Sequence, residues 1–230
     1  MTTQPYAPSL LASILLVLSI ATGPGVAAEP VEGVNYERID PPQTTQAADG
    51  KVEVVEVFWY GCPHCYDFEP FVSAWRARLP AYVDFRRVPG VFRSDWVPGA
   101  KAYYVASELG IVDAIHKPLF DAIHRDKRRL FDEESLAEFF AEQGVAKAEF
   151  EKAWNSFAVD SKVRQALALA RGYGIGGVPS MIVAGKYRTS ASMVDSPASL
   201  DDAYEGLLKI VDYLVDKERG ESVKSPQPVE

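Results

Sequence analysis

Hydrophobic positions along the chain first mark two strands. Val52 to Trp59 is an almost continuous run of β-branched and aromatic residues between two glycines, a pattern typical of a strand covered on both faces. Val83 to Val88 alternates apolar and polar residues, which predicts a second strand ending at Pro89-Gly90. Residues 29–51 form a polar lead-in with turn residues.

Helical periodicity accounts for most of the remaining chain. Cys62 to Leu79 predicts a helix with Pro63 in its first turn, and residues 94–174 predict several amphipathic helices, one capped by Asp132. The aromatic residues of these helices are assigned to helix–helix packing. Ala184-Gly185 then predicts a hairpin turn, and Leu200 to about Arg219 a final helix.

The order of these elements predicts an α/β fold with a helical domain inserted in the middle. We expect one sheet domain in two parts, residues 29–93 and 175–219, separated by the helical domain of residues 94–174. Residues 220–230 are polar and contain two prolines, so we expect a flexible tail there.

The first 28 residues differ from the rest because they carry no charged side chain. Leu10 to Ile20 is an apolar run of 11 residues, whereas a membrane-spanning helix needs about 20. Val26 and Ala28 are small residues at the −3 and −1 positions of a signal peptidase site. We therefore predict a cleavable signal peptide, residues 1–28, cut after Ala28. An uncleaved membrane anchor and a buried first helix are the alternatives.

Composition narrows the class of function. Across 230 residues the net charge is -8 and hydrophobic residues make up 47%, typical of a soluble globular protein. Nucleic acid is excluded as a partner, because binding to phosphates requires clustered cations.

The two cysteines, Cys62 and Cys65, are poor candidates for a structural disulfide. The loop that they would close is so short that the expected gain in stability is about 2 kcal/mol before strain. Cys62 falls at the predicted start of a helix, where backbone N–H groups favour a thiolate, and Cys65 lies one turn further in. We expect Cys62 to exchange with substrate and Cys65 to resolve the mixed disulfide.

Pro63 and His64, the two residues between the cysteines, belong to the candidate catalytic site and predict the direction of exchange. His64 can donate a hydrogen bond to the Cys62 sulfur and attract it when protonated. Stabilising the thiolate stabilises the reduced form, which makes the disulfide a stronger oxidant. The alternative is that His64 is simply a surface residue on the first helical turn.

A metal or haem is not expected at this motif. Covalent haem attachment needs a histidine directly after the second cysteine, and Tyr66 occupies that position. Structural zinc needs four ligands, whereas His116 and His124 are distant in the sequence.

Two further features belong to the candidate site. Val178-Pro179 precedes the hairpin; if the bond is cis, the Val178 backbone would face Cys62 and pair with an extended peptide. Glu56 lies on the same strand face as Val54 and Phe58. It is either a buried carboxyl with a raised pKa that shuttles a proton for Cys65, or a partly solvated glutamate with a hydrogen-bond partner.

These residues carry a family resemblance. The stretches from Glu56 to Pro70 and from Gly177 to Tyr187 resemble the bacterial DsbA family of thiol:disulfide interchange proteins. The likeness runs from about Val34 to Val215 and is only architectural through the helical insertion. It implies a thioredoxin-like fold, interrupted by a helical domain, and a periplasmic dithiol oxidase. One departure is that Pro80-Ala81 occupies the region where some members have a lysine near the active-site acid.

The resemblance also implies residue roles and partners. Cys62 would be the nucleophile, Cys65 the resolving thiol and His64 the thiolate stabiliser, with a cis Val178-Pro179 bond. Substrates would be reduced exported proteins, and a quinone-linked membrane reoxidase of the DsbB kind would restore the disulfide. We expect a monomer without cofactor. A disulfide isomerase or reductase on this scaffold is one alternative function, and a non-catalytic exported binding protein or chaperone is another.

Overall fold

A computed structural model describes residues 1–2 and 29–224 of the chain. The predicted signal peptide with its cut after Ala28 therefore lies almost entirely outside the described residues, as do residues 225–230. Within the described ranges, no helix is both long and apolar enough to cross a membrane.

The described residues contain one mixed sheet of five strands. The strands are β1 Glu37–Arg38, β2 Val52–Phe58, β3 Val83–Pro89, β4 Ser180–Val183 and β5 Tyr187–Thr189. Their spatial order is β1-β5-β4-β2-β3, with β2 parallel to β3 and antiparallel to β4. The sheet thus confirms the two strands and the hairpin predicted from hydrophobic pattern, and it adds β1, which the polar lead-in does not predict.

Seven α-helices are described. They are α1 Pro63–Arg76, α2 Val97–Glu108, α3 Val112–His124, α4 Glu133–Glu142, α5 Lys147–Trp154, α6 Phe157–Gly172 and α7 Leu200–Lys224. Five of them, α2 to α6, lie between β3 and β4 in the sequence, where a helical insertion was expected. The Asp132 carboxylate accepts a hydrogen bond from the Ser135 N–H, which confirms the predicted N-cap of α4.

The prediction for the C-terminus was wrong over residues 220–224. Helix α7 continues through this stretch to Lys224, where we expected a flexible tail to begin at residue 220. Gly220 does not end the helix, since a glycine inside a helix costs only about 1 kcal/mol relative to alanine. The charged residues of this stretch, Glu221 and Lys224, occur in helices as well as in tails, so the sequence does not decide between the two.

Strand β2 is covered on both faces, and all seven of its residues are buried. Val52 and Val54 pack into an apolar cluster with α1 and α7, whereas Val55 and Val57 pack into a cluster with the inserted helices. This two-sided burial explains why the run of β2 lacks a polar face. It also fixes the carboxyl end of β2 between the two layers.

The β4–β5 hairpin turns at two residues with positive φ, Ala184 at 53° and Gly185 at 65°. A two-residue hairpin turn with positive φ at both positions matches the right-handed twist of its strands. A Cβ on Gly185 would overlap the backbone carbonyl of Gln43, so this position requires glycine on steric grounds as well. On its other side β4 pairs with β2, with Ser180 opposite Val57, so the segment that precedes β4 lies near the end of β2.

Candidate redox site

The Cys62–Cys65 motif begins one short turn after β2. Cys62 is the N-cap residue of α1, with extended backbone angles, and Pro63 occupies the first turn, where no N–H is needed. Gly61 lets the chain pass beneath Trp59, because a Cβ there would overlap the indole ring. The sequence therefore places one cysteine at the start of the helix and the other one turn inside it.

The two sulfurs have opposite environments. The pKa of Cys62 is lowered from 9.0 to about 6, first by a hydrogen bond from the Cys65 thiol, then by the backbone N–H groups of Cys65 and His64 and by the charge of His64, against the effect of burial. Cys65 is completely buried, and burial together with its bond to Cys62 raises its pKa well above 9.0. A thiolate is therefore stable at Cys62 and not at Cys65.

The Val178-Pro179 peptide bond is cis and lies against the motif. The Cys62 Sγ atom is 3.5 Å from the Val178 carbonyl oxygen, to which the thiol donates. An open groove of about 750 Å³ extends from this point and includes His64, Gly177, Pro179 and Tyr204 in its walls. We call it the Pro179 groove; Val178, whose carbonyl faces the Cys62 sulfur, is one of its lining residues.

His64 is an exposed residue of the first turn of α1, and it lines the Pro179 groove. Its backbone carbonyl accepts a hydrogen bond of 3.0 Å from the Tyr204 hydroxyl, which ties this turn to α7. The backbone N–H and the charge of His64 both favour the Cys62 thiolate. A surface position and an electrostatic effect on Cys62 are thus compatible.

Glu56 is buried, with 1% of its surface exposed, and its partner is Arg87. The two residues are aligned on the parallel strands β2 and β3, and the Arg87 Nε–H donates to a Glu56 oxygen at 2.8 Å. Burial, together with the charge of Glu69, raises the pKa of Glu56 from 4.5 to about 7 against the attraction of Arg87. The carboxyl therefore gains and loses its proton near neutral pH.

The two histidines that we weighed as metal ligands have other partners. His116 lies between the Glu69 carboxylate and the Tyr60 hydroxyl, and His124 donates to the Tyr60 carbonyl at 2.7 Å while stacking on Tyr66. In the part of the chain that the structure describes, no three potential ligands among histidine, cysteine, aspartate and glutamate come together.

Comparison with known proteins decides the family. Residues 83–205 match the family described as "DSBA-like thioredoxin domain". The chain is 42% identical over 208 residues to the thiol:disulfide interchange protein DsbA of Burkholderia cepacia, covering 90% of this chain and 95% of that one. The chain belongs to the DsbA family.

Solved structures agree with this assignment. The crystal structure of Pseudomonas aeruginosa DsbA superposes with a TM-score of 0.77 at 37% identity, covering 84% of this chain and 96% of that one. The Xylella fastidiosa oxidoreductase DsbA gives a TM-score of 0.74 at 34% identity, covering 84% and 100%. These likenesses confirm the thioredoxin-like fold. A member of the DsbA family is a thiol–disulfide oxidoreductase, and its exchange partners are substrate proteins.

Sequence reasoning missed three residues of this DsbA-family site. Arg87 was passed over because the search for a cation near Glu56 centred on a lysine around Pro80-Ala81. Glu69 was not singled out, and His116 was considered only as a distant metal ligand. The alternating pattern of β3 was a signal for Arg87, because strands of βαβ units pair in parallel and bring such residues opposite each other.

Proposed function

We propose that this protein is an exported dithiol oxidase that donates the Cys62–Cys65 disulfide to newly secreted proteins. The observation that carries the proposal is the contrast between the sulfurs: Cys62 is stable as an anion, with a pKa of about 6, whereas Cys65 is not. The contacts that stabilise the Cys62 thiolate lower the free energy of the reduced protein only, since a disulfide carries no charge. The oxidised protein is therefore expected to give its bridge away readily.

Donation proceeds in two exchange steps. A client thiolate attacks Cys62, forming a client–Cys62 disulfide and releasing Cys65 as a thiolate. Because the Cys65 thiolate is disfavoured in its buried site, it takes a proton, which Glu56 supplies. A second client thiolate then attacks the client sulfur of the mixed disulfide, so that the client disulfide forms and Cys62 leaves as a thiolate.

Reoxidation reverses the proton transfer. The Cys62 thiolate attacks the disulfide of a reoxidase, and ionised Glu56 takes the proton of Cys65, whose sulfur then displaces the reoxidase. A carboxyl with a pKa of about 7 is suited to both directions, because its two forms are similarly populated at neutral pH. We propose a quinone-linked membrane enzyme of the DsbB kind as the reoxidase, and a monomeric state for this protein.

Client recognition is proposed at the Pro179 groove. Val178 and Pro179 lie directly before β4, and the Val178 carbonyl is already within 3.5 Å of the reacting sulfur. A client segment lying in an extended conformation along this backbone would bring its own cysteine to Cys62. Val178 and Pro179 thus serve as the substrate-binding residues of the site, and His64 as the thiolate stabiliser.

Oxidative refolding of a reduced, unfolded protein tests the function. The oxidised protein should accelerate disulfide formation in stoichiometric single turnovers, and Cys62→Ala should abolish this. Cys65→Ala has no disulfide to donate; its Cys62 thiolate should attack a client that already carries a disulfide, so that a mixed disulfide accumulates and one client thiolate is released. Equal refolding by Cys62→Ala would instead indicate a binding protein or chaperone. Equilibration with glutathione separates a strongly oxidising donor from an isomerase or reductase, which would have a lower potential.

Export has its own test. The protein recovered from a periplasmic fraction should begin at Glu29, the residue after the predicted cut at Ala28. Recovery of the whole chain in a membrane fraction would contradict the signal peptide and support an uncleaved anchor.

A further inference from the structure

Five buried polar side chains form one hydrogen-bonded chain behind the redox motif: Glu56, Arg87, Glu69, His116 and Tyr60. Arg87 lies between the carboxylates, donating from Nε to Glu56 and from Nη2 to both oxygens of Glu69 at 2.9 and 3.0 Å. His116 continues the chain, with Nε2 at 3.2 Å from Glu69 and Nδ1 at 2.9 Å from the Tyr60 hydroxyl. The cluster joins β2, β3, α1 and the inserted helix α3.

The hydrogen positions in this chain follow from chemistry. An ionised carboxylate only accepts hydrogen bonds, so His116 must donate its Nε2–H to Glu69. In a neutral imidazole Nδ1 is then an acceptor, and the Tyr60 hydroxyl donates to it. Burial lowers the pKa of His116, which keeps the ring neutral near pH 7. His116 therefore supplies Glu69 with one fixed donor.

The cluster holds two carboxyl groups and one permanent cation. If Glu56 and Glu69 are both ionised, the buried group has a net charge of −1, and a single proton restores neutrality. Glu69 receives donors from Arg87, from the Ser73 hydroxyl at 2.8 Å and from His116. These donors stabilise the anion at Glu69, so the proton resides on Glu56.

We propose that His116 is a positioning residue for the exchange reaction: its hydrogen bond keeps Glu69 ionised and thereby holds the exchangeable proton of the cluster on Glu56. This inference rests on the proposed function, in which Glu56 exchanges that proton with Cys65. It assigns a role in the redox chemistry to a residue of the inserted helices, 51 positions after Cys65 in the chain.

The charges around the two carboxyls support this assignment. Burial acts against ionisation of Glu69, yet its pKa is lowered overall, and the hydrogen bond from His116 is the strongest of the lowering influences. Glu69 also lines a cavity of about 530 Å³ beside α3, whereas Glu56 is sealed. The other titratable groups whose charges act on or respond to Glu56 are Tyr60, Cys65 and Tyr103, and the pKa of each is raised, so they stay neutral at pH 7.

Tyr60, His116 and Glu69 do not form a second, hydrolytic site. A hydroxyl, an imidazole and a carboxylate in this order can activate a nucleophile when substrate reaches the hydroxyl. Tyr60 exposes only 1% of its surface, and burial raises its pKa well above 10.0, so the hydroxyl is neither accessible nor activated. These hydrogen-bonded side chains therefore determine which carboxyl holds the proton of the cluster, and they do not act on an external substrate.

Carboxyl titration in the reduced protein tests the proposal. Glutamate labelled with ¹³C at the side-chain carboxyl reports each group by NMR, and Glu56→Gln and Glu69→Gln assign the two signals. His116→Phe should raise the pKa of Glu69 by about one to two units, the size expected for one hydrogen bond to a charged group, and lower that of Glu56 by less. His116→Gln keeps an N–H donor and should restore both values. An unmoved Glu56 titration in folded His116→Phe would overturn the proposal.

Two further variants separate this role from a structural one. Leu136→Ala opens the core of the inserted helices in α4 without touching the cluster, and it should leave both titrations unchanged. Tyr60→Phe removes the bond that orients His116 and should shift the Glu56 pKa in the same direction, by less. Tyr60→Phe replaces His116→Phe as the test if His116→Phe does not fold. An unchanged Glu56 titration in Tyr60→Phe would then overturn the proposal.

Kinetics distinguish failure of this inference from failure of the proposed function. In single-turnover oxidation of a reduced peptide, His116→Phe should move the pH profile to lower pH, whereas a general loss of structure lowers the rate at every pH. If Glu56→Gln leaves that profile unmoved, the proposed proton exchange with Cys65 is wrong. The effect of His116 on the Glu56 titration would still be measured independently by NMR.

Discussion

Replacing Cys65 by alanine should raise the pKa of Cys62 more than replacing His64 does. The hydrogen bond from the Cys65 thiol is the strongest of the influences that lower the pKa of Cys62 to about 6, and the charge of His64 is the weakest of those described above. A hydrogen bond to a charged group contributes about 1.5–3 kcal/mol, and one pKa unit corresponds to about 1.4 kcal/mol. We therefore expect Cys65→Ala to raise the Cys62 pKa by about one to two units, to about 7–8.

The stabilisation of the reduced protein follows from the fraction of Cys62 that is ionised. At pH 7 a thiol of pKa about 6 is about 90% ionised, whereas one of pKa 9.0 is about 1% ionised. The reduced protein is thus stabilised by up to about 1.4 kcal/mol, or about 30 mV for two electrons. This is an upper value, because solvent at the open side of the sulfur screens the charges around it.

The rate of alkylation of Cys62 by iodoacetamide between pH 4 and 9, measured on the reduced protein, gives the pKa directly. Cys65 is completely buried and does not interfere. Cys65→Ser is the matched control, since its hydroxyl keeps a donor at this position. If Cys65→Ala leaves the pKa at that of the parent protein, or if His64→Ala raises it further than Cys65→Ala does, the assignment of the main stabilising contact is wrong.

Three other substitutions test the surroundings of the site and the fold. Because the folded pKa of Glu56 is raised from 4.5 to about 7, native stability should fall as pH rises through that interval. Glu56→Gln should therefore be more stable than the parent by about 3 kcal/mol at pH 8 and similar at pH 4 in urea unfolding. Gly185→Ala should cost about 2–4 kcal/mol, since the new Cβ meets Gln43 at a positive φ, whereas Gly50→Ala, at a positive φ with open space, should cost about 1 kcal/mol. Asp132→Ala should cost about 1 kcal/mol through loss of the α4 cap.

Each of these expectations has a result that would contradict it. A constant difference between Glu56→Gln and the parent at both pH values would mean that the carboxyl does not titrate in that range. Equal losses in Gly185→Ala and Gly50→Ala would remove the steric contact with Gln43 from the account. Asn at position 132 retains a capping oxygen, so Asp132→Asn should be close to the parent in stability.

Hydrophobic pattern was sufficient for the elements that pack on both sides or on one clear face. Strand β2 was predicted because burial on both faces leaves an uninterrupted apolar run, and the hairpin because Ala184-Gly185 separates two short strands. Strand β1 was not predicted, since two charged residues carry no pattern and pair only because the edge of β5 is available. The end of α7 was misplaced for a similar reason: the charged residues after Gly220 suit a tail and a helix equally.

The site was predictable where the chemistry is local in sequence. Cys62, Cys65 and His64 lie within one helical turn, and the preceding strand orients them. Arg87 and His116 act on the same chemistry from β3 and α3, and their contribution depends on strand register and on helix packing. A single sequence without a register cannot pair Glu56 with Arg87, although a parallel strand after a helix is the arrangement that brings them together.

The edge strands of the sheet determine whether unfolded proteins can add a strand to it. Proteins with free thiols expose unpaired strand segments before they fold, and such segments add themselves to any open sheet edge, the first step of cross-β aggregation. Here one edge strand is β1, only two residues long and formed by Glu37 and Arg38, and the other is β3, with the partly exposed charges of Asp84 and Arg86. Neither edge strand is therefore a good template for the addition of a strand from another chain.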